Sequence, residues 1–147
     1  MPDHDPDIAA LAEALRPTVL RLSRHLRKQA EPVGLSAIDA LLIGLILTYE
    51  GVGVSELADR EQMSRPTMSA HIKRLESAGW VARGAPDPED RRRVGLVVTE
   101  AGRAAREAVR RRRNDWLAQK LAALSPEARA AVQAALVPLA EIAGERA

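Results

Sequence analysis

Residues Ser55–Thr99, SELADREQMSRPTMSAHIKRLESAGWVARGAPDPEDRRRVGLVVT, decide the fold. Ser55 to Glu61 reads as a short helix with Leu57 and Ala58 facing inward, and Gln62 and Met63 make a tight turn. Ser64 is a good N-cap, and Pro66 falls in a first turn, where a missing N–H costs nothing. The helix it opens runs to about Ala78, and Gly79 stops it. Trp80-Val81-Ala82-Arg83 is short and extended, Gly84-Ala85-Pro86-Asp87-Pro88 is turn chemistry, and Val94 to Val98 alternates as a returning strand. Helix, turn, helix and hairpin in that order predict a winged helix-turn-helix, an architecture that can set a helix in a DNA groove.

A helical wheel sorts the second helix. Met68, Ile72 and Leu75 form its buried stripe. Arg65, Thr67, Ser69, Ala70, Lys73 and Arg74 flank the stripe or point away from it. Near the helix start these are hydroxyls and cations, groups that donate to phosphates and base edges, where helix N–H groups also favour phosphate. Ser64, Arg65, Thr67, Ser69, Lys73 and Arg74 are therefore candidate DNA-binding residues, against the plainer reading of a solvated helix face. His71 lies at the edge of the stripe, between a packing role and a DNA contact. The loop DPEDRRR (Asp87–Arg93) places three acids beside three Arg. It reads either as a solvated turn or as a tip whose Arg, held by a neighbouring Asp, enters a narrow minor groove, where negative potential is concentrated. Asp90, Arg91 and Arg92 complete the candidate site.

The flanking chain is helical and amphipathic. Ile8, Leu11, Leu15, Val19, Leu22 and Leu26 recur at three and four, opened by Asp5 or Asp7 and interrupted by Pro17, which should kink or divide the helix. Glu31-Pro32-Val33-Gly34 breaks it. Ser36 caps the next helix, Asp39 suits its first-turn dipole, and Ile38, Leu41, Leu42, Leu45, Ile46 and Tyr49 are its expected buried face. Thr99 caps a fifth helix and Ser125 a sixth, the latter carrying Val132, Leu136, Leu139 and Ile142 as a stripe with Pro138 near its end. The first, fifth and sixth helices can bury their stripes against one another, and more fully against a second copy. Residues 1–34 and 100–147 are thus expected to form a helical dimerisation region and residues 35–99 the DNA-binding region, in one intertwined domain.

Composition excludes several classes. The 147 residues carry net charge +2 with a pI near 9.5, a weak pointer to an anionic partner. The basic charge is clustered: Arg16–Glu31 nets +4, Ser64–Arg83 nets +3 and Glu100–Lys120 nets +4. The absence of Cys rules out disulfides and thiol chemistry. His4, His25 and His71 have no metal-ligand spacing, so no metal or cofactor is expected. No catalytic constellation is visible, and an enzyme is not expected. The acidic start MPDHDPD is not a signal peptide, and the longest apolar run, Ala40–Leu47, is too short for a membrane span; a soluble, cytoplasmic protein is expected.

These residues resemble the MarR family of bacterial transcription regulators over nearly the whole chain. The likeness rests on Arg21–Arg27, Val54–Ala58, Ser64–Ser69, Ile72–Glu76, Gly79–Val81, and above all the wing motif Asp87-Pro88-Glu89-Asp90-Arg91-Arg92 followed by Thr99-Glu100-Ala101-Gly102. The resemblance implies a homodimeric repressor on a pseudo-palindromic operator. It further implies that Arg92 enters the minor groove with Asp90 holding it, and that a small ligand bound near the dimerisation helices releases the DNA. The chain departs from the pattern by one extra residue at Gly84-Ala85 and by Ala70, where some relatives carry a longer polar side chain. The rival expectations are a winged helix used for protein–protein contact and a nonspecific architectural DNA binder.

Overall fold

The capped helices expected from the sequence recur in the computed structural model, which describes residues 5–86, 88–89 and 94–144. In chain order they are α1 (Pro6–Lys28), a 3-10 turn (Glu31–Val33), α2 (Ala37–Thr48), α3 (Val54–Arg60), α4 (Arg65–Ser77), β1 (Val81–Pro86), β2 (Val94–Val98), α5 (Glu100–Ala122) and α6 (Pro126–Ile142). The chain is mainly helical with one two-stranded antiparallel hairpin. It divides into two compact units, Met1–Arg112 and Arg113–Ala147.

The core of the first unit is aliphatic. Leu42, Ile43 and Ile46 of α2, Leu57 of α3, Met68, Ile72 and Leu75 of α4, and Leu96 and Val98 of β2 are buried together. The α4 stripe is the one the heptad spacing predicts. On α2 the outcome differs: Ile43 is buried, whereas Leu41 is 44 % exposed and Tyr49 is 38 % exposed. This helix is apolar nearly all round, so periodicity could not choose its inner side. Tyr49 is covered instead by the Arg60 guanidinium, 3.8 Å above its ring. Pro17 does not divide α1. The helix is largely exposed there, so water can serve the carbonyl that loses its donor, and the Thr18 hydroxyl donates to Ala14 O at 3.2 Å.

The hairpin pairs Val81 with Val98, Ala82 with Val97 and Arg83 with Leu96, then Pro86 with Val94. The register therefore shifts by one residue. Gly84 and Ala85 together oppose Gly95, so a β-bulge absorbs the residue that the sequence pattern shows in excess. Behind the hairpin, Leu96 N donates to Val52 O at 2.9 Å, fastening β2 to the α2–α3 connection. That approach is close enough that a Cβ on Gly95 would lie 2.7 Å from Gly51 Cα.

One hydroxyl closes the first unit. Thr99 Oγ1 donates to Gly79 O at 2.6 Å and accepts from Gly102 N at 3.1 Å, while Thr99 N donates to Trp80 O at 3.0 Å. It caps α5 and holds the chain just past α4 in the same place. A Cβ on Gly102 would meet Trp80 O and Val98 Cγ1 at less than 3.0 Å. The spacing Thr-x-x-Gly follows: the first residue must reach back to residue 79, and the fourth must pass the residue-80 carbonyl without a side chain.

The second unit is held by caps more than by burial. Ser125 Oγ accepts from Ala128 N at 3.1 Å to open α6. Arg129 donates to the carbonyls of Leu121 and Ala122 at the end of α5 and of Leu124 just beyond it. Glu127 in the first turn is held below the usual carboxylate range by a backbone hydrogen bond and then by the Ser125 hydroxyl. No residue of α6 is buried. No single helix among the described residues is long and apolar enough to cross a membrane.

Gly102→Ala should lower folding stability by about 1–3 kcal/mol, the range for forcing atoms into a packed contact. Urea unfolding checks this, and an unchanged midpoint would contradict the close-approach account.

Candidate nucleic-acid interface

The turn before α4 is tight because Gln62 takes a left-handed conformation (φ 53), letting Met63 N reach Ala58 O at 2.9 Å. The turn costs a residue other than glycine about 1 kcal/mol, and it sets α4 at its angle to α3. Ser64 then caps α4. Its Oγ accepts from Thr67 N at 3.2 Å and lies 2.7 Å from Thr67 Oγ1. Pro66 occupies the first turn without loss of a hydrogen bond.

With Met68, Ile72 and Leu75 wholly buried, the opposite side of α4 must face outward. Arg65, Thr67, Ala70, Lys73 and Arg74 are exposed, and Ser69 and His71 are half-buried. The start of the helix therefore offers hydroxyls and a guanidinium on one surface. Lys73 adds a cation further along. No opposing acid of α4 lies in its first turn.

Arg74 is placed differently from the others. Its guanidinium grips Asp39 of α2: Nη1 donates to Oδ2 at 3.1 Å and Nη2 to Oδ1. Nη2 also lies 3.3 Å from His71 Nδ1. Asp39 is 1 % exposed and completes a capping box, its Oδ2 accepting from Ser36 N at 2.9 Å while Ser36 Oγ accepts from Asp39 N at 3.2 Å. At the far end of α4, Glu76 accepts from Arg83 Nε of β1 at 3.0 Å. Sequence reading gave Asp39 the capping role and not the ion pair. The available signal was that Asp39 is the one charged residue in Ala37–Thr48, a helix too apolar to keep a carboxylate without a cation. Asp90, Arg91 and Arg92 lie outside the described residues. β1 and β2 carry the segment between them from the end of α4 and return it to α5.

A sequence profile of the MarR family matches residues 33–93. An uncharacterised HTH-type transcriptional regulator of Mycobacterium bovis is 42 % identical over 120 residues, covering 80 % of this chain and 81 % of the relative. This chain belongs to the MarR family. A MarR-family chain of this kind is a transcriptional regulator with a DNA-binding fold, and the names of its relatives indicate a regulator and not an enzyme. Among solved structures, a Pseudomonas aeruginosa protein described as a transcriptional regulator superposes with TM-score 0.79 at 30 % identity, over 95 % of this chain and 98 % of that one. A mutant of S. aureus MepR, solved bound to an oligodeoxyribonucleotide, superposes with TM-score 0.71 at 19 % identity, over 89 % of this chain and 96 % of its own. That second likeness concerns the fold.

Ser64→Ala should cost about 1 kcal/mol of stability, whereas Ser64→Gly should cost only a few tenths, because glycine at an N-cap exposes the helix N–H groups to water. Parallel urea titrations of the two variants check the cap. Equal losses would count against it.

Proposed function

We propose that this MarR-family regulator is a homodimeric repressor that reads a pseudo-palindromic DNA operator through α4 and the wing, and that a small ligand releases it. The observation that carries the DNA reading is the outward surface at the start of α4. Ser64, Arg65, Thr67 and Ser69 lie there, with Lys73 further along, opposite a fully buried stripe that holds the helix from behind. The side chains are donors, as phosphates and acceptor-rich major-groove edges require. The MepR complex with an oligodeoxyribonucleotide supports the same use of the shared fold. Wing residues Asp90, Arg91 and Arg92 are assigned from their motif, with Arg92 in the minor groove.

The dimer reading rests on apolar surface. Ile8, Leu11, Val19, Leu20 and Leu22 of α1 are exposed, as are Val132, Leu136, Val137, Leu139 and Ile142 of α6, with Ile142 73 % and Leu136 55 % exposed. Stripes this long in a single copy mark a protein contact. In this assignment residues 1–34 and 100–147 join the copies and residues 35–99 read the DNA. Release by a ligand is supported by a cavity of about 360 Å³ between the end of α1 and the start of α2, where three cations, Arg24, Arg27 and Lys28, and one acid, Glu31, stand beside Leu35 and Ser36. Such a lining suits a small anion.

Selecting bound duplexes from a random pool at physiological salt should recover an inverted repeat with half-sites about ten base pairs apart. Binding without enrichment would replace this reading with a nonspecific architectural role, and no binding would favour a protein-contact role. Arg92→Ala should weaken binding to the recovered duplex while leaving the dimer intact by sedimentation. Full operator affinity in that variant would remove the wing from the interface. Leu136→Glu combined with Ile142→Glu should sediment as a monomer. A stable dimer would move the interface elsewhere.

A further inference from the structure

We propose that Asp39 is a positioning residue for DNA recognition, and that Arg74 acts on DNA through Asp39 instead of through a phosphate. The proposal rests on the DNA reading above and deepens it. Arg74 has the exposure of a contact residue, with half its side chain in solvent, but some of its N–H donors are already committed. Two of them form a fork on both oxygens of Asp39, and the second also lies beside His71 Nδ1. A guanidinium in a two-point grip has a fixed plane, so the grip fixes the helix that carries it. Asp39 is itself immobile: it is buried, and its capping box with Ser36 aims the carboxylate before Arg74 arrives. The pair joins residues 35 positions apart, linking the first turn of α2 to the last turns of α4. Arg65, Thr67 and Ser69 lie on the opposite half of α4, so a small rotation of that helix about the clamp moves each of them relative to a base edge. The observation that separates this role from ordinary packing is its position. The burial of Met68, Ile72 and Leu75 holds α4 against the core, and the charged fork adds an angular restraint at one end of the helix.

The test uses the full-length protein, the selected duplex and a scrambled duplex of equal length. Asp39→Asn keeps an acceptor for Ser36 N and removes the charge that fixes the fork. Arg74→Lys keeps the charge pair and removes the fork. If the clamp positions α4, each variant, folded by circular dichroism at the assay temperature, loses affinity for the selected duplex by about tenfold, roughly the loss of one base pair's recognition. Binding to the scrambled duplex and the salt slope of log affinity stay as in wild type, and the double variant loses no more than either single one. If Arg74 is instead a phosphate contact, Asp39→Asn leaves affinity unchanged or raises it by freeing the guanidinium. Arg74→Ala then lowers the salt slope by about 0.9 and weakens both duplexes alike. Either result overturns the proposal. Should Asp39→Asn not fold, Arg74→Lys carries the same comparison, and equal losses on both duplexes would overturn it. A wild-type protein that does not distinguish the two duplexes would remove the DNA reading itself, and this is read before any variant.

Discussion

A helix that must show one long side to solvent has to be fixed entirely from its other sides, and α4 meets this constraint with unequal anchors. Met68, Ile72 and Leu75 are fully buried, each stabilising by roughly 1.5–3 kcal/mol. The Glu76–Arg83 pair, half in solvent, contributes at most about 1 kcal/mol. The apolar stripe therefore decides that α4 is packed at all. The polar anchors at Ser64, Asp39 and Arg83 are too weak for that but are directional, and they decide how the packed helix is turned. A forked hydrogen bond adds a preferred direction to that packing, because it weakens as its angles open.

The second constraint is continuity between the end of α4 and the start of α5. Gly79, Trp80, Thr99 and Gly102 form one junction in which the chain leaves for the hairpin and comes back. Thr99 satisfies a carbonyl between α4 and β1 and an orphan N–H in the first turn of α5. The hairpin is thus pinned at its root by hydrogen bonds to Trp80, Gly79 and Val52 and by burial of Leu96 and Val98, while the bulge at Gly84-Ala85 lies further out. An extra residue at the bulge changes the path of the outer strand without disturbing the root, because a bulge confines its register shift to the residues beyond it.

Most of this architecture was legible in the sequence because its signals are local. Ser36, Ser64, Thr99 and Ser125 each cap a helix as their neighbours suggest, and the stripe Met68-Ile72-Leu75 and the alternation Leu96-Val97-Val98 are in the register the periodicity gives. What the sequence hid was nonlocal or degenerate. The inner side of α2 could not be chosen, since a helix of Leu and Ile on all sides carries no phase. The partner of Asp39 could not be named, because its cation lies 35 residues on and Lys73 was an equal candidate by charge. For α4, the residues facing outward were readable but their commitments were not: Arg65 and Arg74 look alike as letters and differ in that one already holds a carboxylate.

The terminal helices raise a question of energy more than of geometry. α6 has 17 residues and buries none, and its hairpin with α5 is held by Arg129 and by caps. Even a helix longer than the roughly 12–15 residues below which isolated helices are marginal draws most of its stability from a packed face, and caps add about 1 kcal/mol apiece. An α5–α6 hairpin supported only in this way would fray. The Val132, Leu136, Leu139 and Ile142 stripe is what a second apolar surface could stabilise, at roughly 25 cal/mol per Å² removed from water. On the dimer reading, ordering these helices and joining the copies are then one event, so the order of the C-terminal unit depends on protein concentration. DNA reading inherits that dependence. On that same reading a dimer meets two half-sites at once, so at low concentration its affinity for an operator would be limited by the apolar faces of α1 and α6 before it is limited by any donor on α4.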